Sequence, residues 1–117
     1  MTYMMLIYEP EAAYEGAIGE TALSAIVARH MELGRELTAA GIAFSGDGLQ
    51  PTATATTVRT DAGGAQTLHA GPFAETREHL GGYYRMELAD LDQALVWARK
   101  IPVMPGGKVD VRPVAKY

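Results

Sequence analysis

Two hydrophobic periodicities follow one another at the start of the chain, and this order constrains the fold more than any other feature. Tyr3–Tyr8 is a continuous apolar and aromatic run that Glu9-Pro10 ends, which predicts a strand buried on both faces. In Thr21–Ala40, apolar residues recur at helical spacing, which predicts an amphipathic helix that ends at Gly41. Ile42–Leu49 resembles a strand that ends in a Gly46-Asp47-Gly48 turn. The predicted buried stripe of the helix comprises Leu23, Ile26, Val27, His30, Met31, Gly34 and Leu37.

The same strand-helix-strand order recurs in the second half of the chain. Apolar and polar residues alternate from Tyr83 to Leu88, which predicts a strand with one apolar face. Asp90 and Gln93 form a variant of the capping box and predict the start of a helix. Lys108–Val114 is a last strand. The helix is expected to bury a stripe of Leu91, Ala94, Leu95, Ala98 and Ile101, with Trp97 at its flank.

A shorter pattern, typical of a β-hairpin, lies between these two units. Ala53–Thr60 is rich in threonine, Asp61–Gly64 is a turn sequence, and Gln66–His69 is the candidate return strand. The whole order predicts one domain over residues 1–117, of the α+β class. We expect a ferredoxin-like split β-α-β fold with an inserted hairpin, an antiparallel sheet and both helices on one face. The other face would be bare, so we expect a homodimer with back-to-back sheets.

Composition excludes several classes of partner. The chain has 10 Lys and Arg against 14 Asp and Glu, a formal net charge of −4, and no basic cluster, which argues against nucleic acid. No apolar run approaches the roughly 20 residues that span a bilayer, and the amino-terminal segment lacks the basic residues of a signal peptide. The chain contains no cysteine. We therefore expect a cytoplasmic protein that does not contact a membrane.

The sequence contains no pattern typical of a metal or cofactor site. His30, His69 and His79 are not arranged at the short spacings that metal ligands favour. Neither a glycine-rich phosphate loop nor a Ser-His-Asp arrangement is present. We expect the protein to use no metal and no cofactor.

The segment between the hairpin and the Tyr83 strand carries a family resemblance. Gly71–Glu78 and Leu80–Tyr84 resemble the signature of the DGPF subgroup of YCII-related proteins. The similarity extends over nearly the whole chain, from the Tyr3–Tyr8 run to the closing Val109–Val114 run. It implies a ferredoxin-like domain that dimerises as a dimeric α/β barrel. Ala70 stands where the subgroup has its leading aspartate, which puts any mechanism that needs this carboxylate in doubt.

The same resemblance directs attention to His30 and Asp47. Some members of the wider family resemble small enzymes acting on lactones or chlorinated ring-cleavage products, with a histidine and an aspartate proposed at the site. His30 resembles the helix histidine of that family, and its unperturbed pKa of about 6.5 suits proton transfer at neutral pH. The alternative is a core histidine with one hydrogen bond. Asp47 either orients an imidazole or makes an Asx turn with its own backbone.

Three further residues are candidates for contact with a small-molecule substrate. His69 comes at a strand end, where it lies either in a cleft or on the surface of the hairpin. Arg77 either holds a substrate carboxylate or belongs to an exposed ion-pair cluster. Phe73 is a packing anchor for the loop or a substrate contact.

Two functions are compatible with these residues. The first is a small cofactor-independent enzyme in which a histidine moves a proton on a small acidic or lactone-like metabolite. The second is a non-catalytic dimeric module for small-molecule binding or regulation, which the missing aspartate at position 70 favours. The sequence leaves open which of the two is correct.

Overall fold

The computed structural model describes residues 1–72 and 77–117. Six strands and two helices follow one another in these ranges, with short 3-10 turns at Glu11–Tyr14 and Thr52–Thr54. In chain order the elements are β1 (Thr2–Glu9), α1 (Gly16–Ala39), β2 (Phe44–Gly48), β3 (Thr56–Thr60), β4 (Gln66–Ala70), β5 (His79–Glu87), α2 (Leu91–Ala98) and β6 (Lys108–Pro113).

The larger sheet has four strands in the order β2-β5-β1-β6. All three neighbouring pairs are antiparallel. Strands β1 and β2 are therefore parallel to each other on either side of β5, and β5 and β6 are parallel on either side of β1. These interlocked β-α-β units confirm the predicted ferredoxin-like arrangement.

Strands β3 and β4 pair only with each other, as a separate two-stranded ribbon among the described strands. The turn between them follows from its sequence: Asp61 Oδ1 accepts hydrogen bonds from the backbone N–H groups of Gly63 and Ala65, at 2.9 Å each. Gly64 has a φ of 89°, a conformation that glycine adopts without a steric cost. The prediction of an inserted hairpin is confirmed.

The core lies between one face of the sheet and the two helices. Met5 of β1 and Met86 of β5 are completely buried, and they belong to one cluster with Leu37 of α1 and Ala94 of α2. Both helices therefore cover the same face, as predicted. On β1 the buried residues are Tyr3, Met5 and Ile7, whereas Met4, Leu6 and Tyr8 are half-buried. The prediction of a strand buried on both faces is wrong, because both helices pack on the same side of it.

The buried stripes of the helices differ from the predicted ones. In α1 the buried residues are Gly19, Ile26, Leu33 and Leu37. Leu23, Val27 and Met31 are exposed at 48%, 50% and 62%, because α1 is rotated so that Leu33 points to the sheet. In α2, Leu91 and Leu95 are exposed and Trp97 is half-buried, since this short helix contacts the core through Ala94. Neither described helix has the length and apolar composition needed to cross a bilayer.

Candidate functional site

A cleft of about 790 Å³ lies between α1 and the β2–β5 edge of the sheet. Its walls are mainly apolar. Successive turns of α1 form one wall, and the backbones of β2 and β5 form much of the other. The helical wall comprises Val27, His30, Met31, Gly34, Arg35, Thr38 and Ala39, and the opposite side comprises Ile7, Glu9, Phe44, Gly46, Asp47, Gly48, Gly81, Gly82, Tyr83 and Tyr84.

Glycines bring the strands close together at this edge. A Cβ atom on Gly46 would lie 2.6 Å from the Tyr83 carbonyl oxygen and 2.9 Å from the Tyr84 ring. A Cβ atom on Gly82 would lie 3.0 Å from the Asp47 carbonyl oxygen. The predicted turn at Gly46-Asp47-Gly48 is wrong: these residues lie in β2, and Gly46 is needed there for close packing.

His30 and Tyr84 form a hydrogen-bonded pair in the cleft. The distance between His30 Nδ1 and the Tyr84 hydroxyl is 2.7 Å, and the two rings stack with centroids 5.7 Å apart. His30 is half-buried, while Tyr84 is 9% exposed and belongs to the core. The imidazole is therefore fixed by a core residue and still reaches the cleft.

Burial sets the protonation states of this pair. Burial lowers the pKa of His30 from its ordinary value, and the charge of Arg29 lowers it further. The Glu9 carboxylate and the backbone of Pro102 act in the opposite direction on the pKa of His30. Burial also raises the pKa of Tyr84. Both side chains are accordingly neutral near pH 7.

The tautomer of the neutral imidazole determines which atom of the pair donates. When the ring proton is on Nε2, Nδ1 accepts from the Tyr84 hydroxyl. In this tautomer the pair can receive a proton through the Tyr84 oxygen, because the hydroxyl proton has an acceptor at 2.7 Å.

Glu9 places a carboxylate on the cleft wall near this pair. Glu9 Oε2 accepts a hydrogen bond from the Tyr14 hydroxyl and another from the Met104 backbone N–H, each at 2.6 Å. Burial and the hydrogen bond to Glu9 raise the pKa of the Tyr14 hydroxyl, which stays a neutral donor. The fixed negative charge of Glu9 stabilises a positive charge on His30. Glu9 thereby offsets part of the cost that burial imposes on an imidazolium at this position.

Asp47 also lines the cleft, but its side chain does not make the predicted Asx turn. Its Oδ2 accepts a hydrogen bond from the hydroxyl of Tyr83, its partner across the β2–β5 ladder, at 2.7 Å. This hydrogen bond raises the pKa of Tyr83. The hydrogen-bond partner of the imidazole at Nδ1 is Tyr84 and not Asp47.

The three candidate substrate contacts lie elsewhere or outside the described residues. His69 is on β4, opposite Thr57, and is not among the residues that line the cleft of His30. Arg77 lines a second, shallower depression together with Tyr8, Glu78, Lys108 and Asp110. Phe73 lies outside the described ranges. The structure therefore brings His30 and Asp47 to one cleft, without His69 and Arg77.

Sequence reasoning did not identify Tyr84 and Glu9 as parts of a site. Tyr84 shares the inward face of β5 with Met86, so its alternation indicates only a core residue. The hydroxyl of Tyr84 is the feature that could have predicted a polar partner, because a buried tyrosine usually needs a hydrogen-bond partner. Glu9 marked only the end of the first strand. Within residues 1–72 and 77–117, no three His, Asp or Glu side chains are grouped so that they could hold a metal ion.

Comparisons with known proteins place this arrangement in a family. A family model described as the YCII-related domain matches residues 1–117. The chain belongs to the YCII-related family. An uncharacterized protein of Rhizobium meliloti (strain 1021) is 45% identical over 71 residues, which are 59% of this chain and 56% of that protein. This YCII-related chain thus spans little more than half the length of the relative that it matches.

Proposed function

We propose that this YCII-related protein is a small cofactor-independent enzyme that moves a proton on a small acidic or lactone-like metabolite. The observation that carries the proposal is the 2.7 Å contact between His30 Nδ1 and the Tyr84 hydroxyl inside an apolar cleft. A neutral imidazole is a competent base at neutral pH. Some members of the wider family resemble small enzymes acting on lactones, and this resemblance supports the same chemistry.

The proton moves in two linked steps in this proposal. The Tyr84 oxygen accepts a proton from the bound molecule while its own proton passes to His30 Nδ1. The carbanion or alkoxide of the ligand and the imidazolium are formed together, and Glu9 stabilises the imidazolium. Return of the proton along the same path, to the same or another atom of the ligand, restores the neutral pair.

The cleft also indicates the kind of ligand. Val27, Met31 and Phe44 supply apolar surface for a small carbon skeleton. Among the described residues that line the cleft, Arg35 is the one with a permanently charged basic side chain. An arginine forms two parallel hydrogen bonds with a carboxylate, so we place the acidic group of the ligand at Arg35.

Proton exchange in heavy water tests this proposal across many candidate substrates at once. The protein is incubated with a panel of small carboxylic acids and lactones in heavy water, and proton NMR follows loss of carbon-bound protons and formation of new products. We expect exchange or conversion of at least one compound. His30→Gln and Tyr84→Phe should each reduce the rate by about a hundredfold or more, as for loss of a general base.

Matched variants separate the chemistry from binding. His79→Gln removes a histidine that does not line the cleft, and it should leave the rate unchanged. Arg35→Gln should weaken binding of acids and spare neutral lactones. A compound that exchanges equally fast with wild type and His30→Gln contradicts the proposal. Ligands that bind in the cleft and are recovered unchanged after prolonged incubation favour the alternative, a non-catalytic binding or regulatory module.

A further inference from the structure

Strand β2 lies at the edge of the larger sheet, and one side of its backbone has no neighbour among the described strands. We call this side the free edge. In an antiparallel ladder, opposite residues alternate between pairs that exchange hydrogen bonds and pairs that do not. Two hydrogen bonds fix this alternation: the Leu49 N–H donates to the Gly81 carbonyl at 2.9 Å, and the Glu87 N–H donates to the Ala43 carbonyl at 3.0 Å. The odd-numbered residues of β2 therefore bond to β5.

The even-numbered residues of β2 point their backbone groups in the other direction. The N–H and C=O groups of Phe44, Gly46 and Gly48 are directed away from β5, toward the free edge. No described strand supplies a partner on that side. Every residue of β2 is exposed, so these groups are accessible to a ligand.

The same three residues line the cleft of His30, and two of them leave space in it. Gly46 is opposite Tyr84 in the ladder, so it belongs to the helix side of the sheet. A Cβ atom on Gly48 would meet nothing within 4 Å. Directly opposite residues of paired strands point their side chains to the same face. A ligand residue that pairs with Gly46 at the free edge would therefore direct its side chain into the cleft.

The free edge and the cleft wall together define the groups that a ligand needs. The Gly46 N–H requires an acceptor and the Gly46 carbonyl a donor, which one amino-acid unit supplies with its own C=O and N–H. A lactone has no N–H for this carbonyl. Arg35 adds a permanent positive charge that suits an α-carboxylate. Val27 and Met31 suit an apolar side chain.

We propose that the cleft binds an N-acylated amino acid with an apolar side chain, which pairs with Gly46 like one residue of an added strand. The amide N–H of the ligand donates to the Gly46 carbonyl, and one carboxylate oxygen accepts from the Gly46 N–H. The other carboxylate oxygen accepts from Arg35. Because Gly46 is opposite Tyr84, the α-carbon of the ligand lies at the level of the His30–Tyr84 pair.

This inference rests on the proposed function for the position of the acidic group at Arg35, and it names a ligand class for the same cleft. Its readout is binding, which requires no proton transfer. The two can therefore succeed or fail separately.

Amide hydrogen exchange measured by NMR, with N-acetyl-leucine as the probe, tests the pairing at a single atom. In the free protein the Gly46 amide should exchange rapidly, whereas the amide of Asp47, which bonds to β5, should be protected. Saturating N-acetyl-leucine should slow exchange at Gly46 by about tenfold or more and leave Asp47 unchanged. Protection of Gly46 in the free protein, or no slowing with N-acetyl-leucine, overturns the proposal.

Analogues that each lack one group of the probe test the other contacts by NMR titration. Acetylated leucic acid, in which an ester oxygen replaces the amide N–H, should bind about fivefold more weakly. N-acetyl-leucinamide, which lacks the carboxylate, should bind about tenfold more weakly. N-acetylglycine, which lacks the apolar side chain, should also bind about tenfold more weakly. Equal affinities of the amide and the ester overturn the pairing with Gly46.

Arg35→Gln tests the carboxylate contact from the side of the protein. It should weaken binding of N-acetyl-leucine by about tenfold and leave the affinity for N-acetyl-leucinamide unchanged. Arg99→Gln is the matched control, because Arg99 is exposed and is not among the described residues that line the cleft. It should change neither affinity. Equal losses for both probes in Arg35→Gln overturn the placement of the carboxylate.

Proton NMR of N-acetyl-leucine in heavy water separates this inference from the proposed function. Binding with the expected pattern but without loss of the α-proton supports the ligand site and counts against proton transfer on this ligand. Exchange or conversion of other compounds, together with no binding of N-acetyl-leucine at millimolar concentration, leaves the proton path standing and overturns the inference.

Discussion

Removal of the Tyr84 hydroxyl tests whether its hydrogen bond with His30 stabilises the folded state. Tyr84→Phe keeps the ring, which is 9% exposed and lies 6.5 Å from the ring of Phe44 between centroids. It removes only the oxygen that lies 2.7 Å from His30 Nδ1. The loss is therefore one hydrogen bond, with no change in the shape of the core.

The size of the effect follows from the burial of the acceptor. A typical hydrogen bond contributes about 0.5–1.5 kcal/mol net, and a buried orphan acceptor costs about 1–3 kcal/mol. His30 is half-buried and opens to the cleft, so water can reach Nδ1 and recover part of this cost. We expect a decrease in the free energy of unfolding of about 1 kcal/mol. With a urea slope of about 1.5 kcal/mol/M, the unfolding midpoint should fall by about 0.7 M.

Urea unfolding followed by circular dichroism measures this decrease, and Tyr83→Phe is its control. Tyr83 also donates a 2.7 Å hydrogen bond, to Asp47 Oδ2, but on an exposed surface. Its removal should leave the midpoint within experimental error. An NMR titration of the histidine ring protons gives a second readout: the pKa of His30 should rise in Tyr84→Phe, because a donor to the neutral ring is lost.

Two results would refute this reasoning. Equal losses for Tyr84→Phe and Tyr83→Phe would show that burial does not distinguish the two hydrogen bonds. An unchanged His30 titration would show that the hydroxyl does not act on the imidazole. In either case the 2.7 Å contact would no longer support a proton path through Tyr84.

Three other predictions follow from single positions. Burial lowers the pKa of His30 in the folded state below 6.5, so the unfolded chain binds more protons and the free energy of unfolding falls as the pH drops below that value. His30→Gln should remove this part of the pH dependence, which urea titrations at about pH 7.5 and 5.5 measure. An unchanged difference in the free energy of unfolding between the two pH values would contradict this prediction. Gly34→Ala should raise the free energy of unfolding by about 0.5–1 kcal/mol, because a helix gains from alanine and the new Cβ would lie at an ordinary 3.6 Å from Phe44. Gly19→Ala, in the same helix, should lower the free energy of unfolding by about 1–3 kcal/mol, since the new Cβ would lie 2.1 Å from the Tyr14 carbonyl carbon. A stabilised Gly19→Ala variant would show that the turn at Glu11–Tyr14 moves aside without cost.

The order of elements was predictable because each has a distinct local signal. Helical spacing up to Gly41, the turn residues at Asp61–Gly64 and the cap at Asp90 are all local, and all three occur in the structure. The rotation of α1 was not predictable, since Val27, Met31 and Leu33 are equally apolar. Only the position of the sheet and the cleft decides that Leu33 is buried while Val27 and Met31 line the cleft.

The candidate site was predictable only in part. His30 stands out as a titratable residue in an apolar stripe, and it does line the cleft. Its partner Tyr84 is 54 positions away, and the alternation along β5 identifies Tyr84 as a core residue but not as the partner of His30. The Gly46-Asp47-Gly48 run has the composition of a turn, but it lies in a strand, where Gly46 admits the neighbouring backbone. Such long-range contacts have no signature in one sequence.

The neighbours Tyr83 and Tyr84 show why adjacent tyrosines of one strand have different surroundings. Successive side chains of a strand point to opposite faces, so Tyr84 meets His30 on the helix side while Tyr83 meets Asp47 on the other face. The proposed proton path therefore uses the hydroxyl of Tyr84, and the hydroxyl of Tyr83 lies on the opposite side of β5.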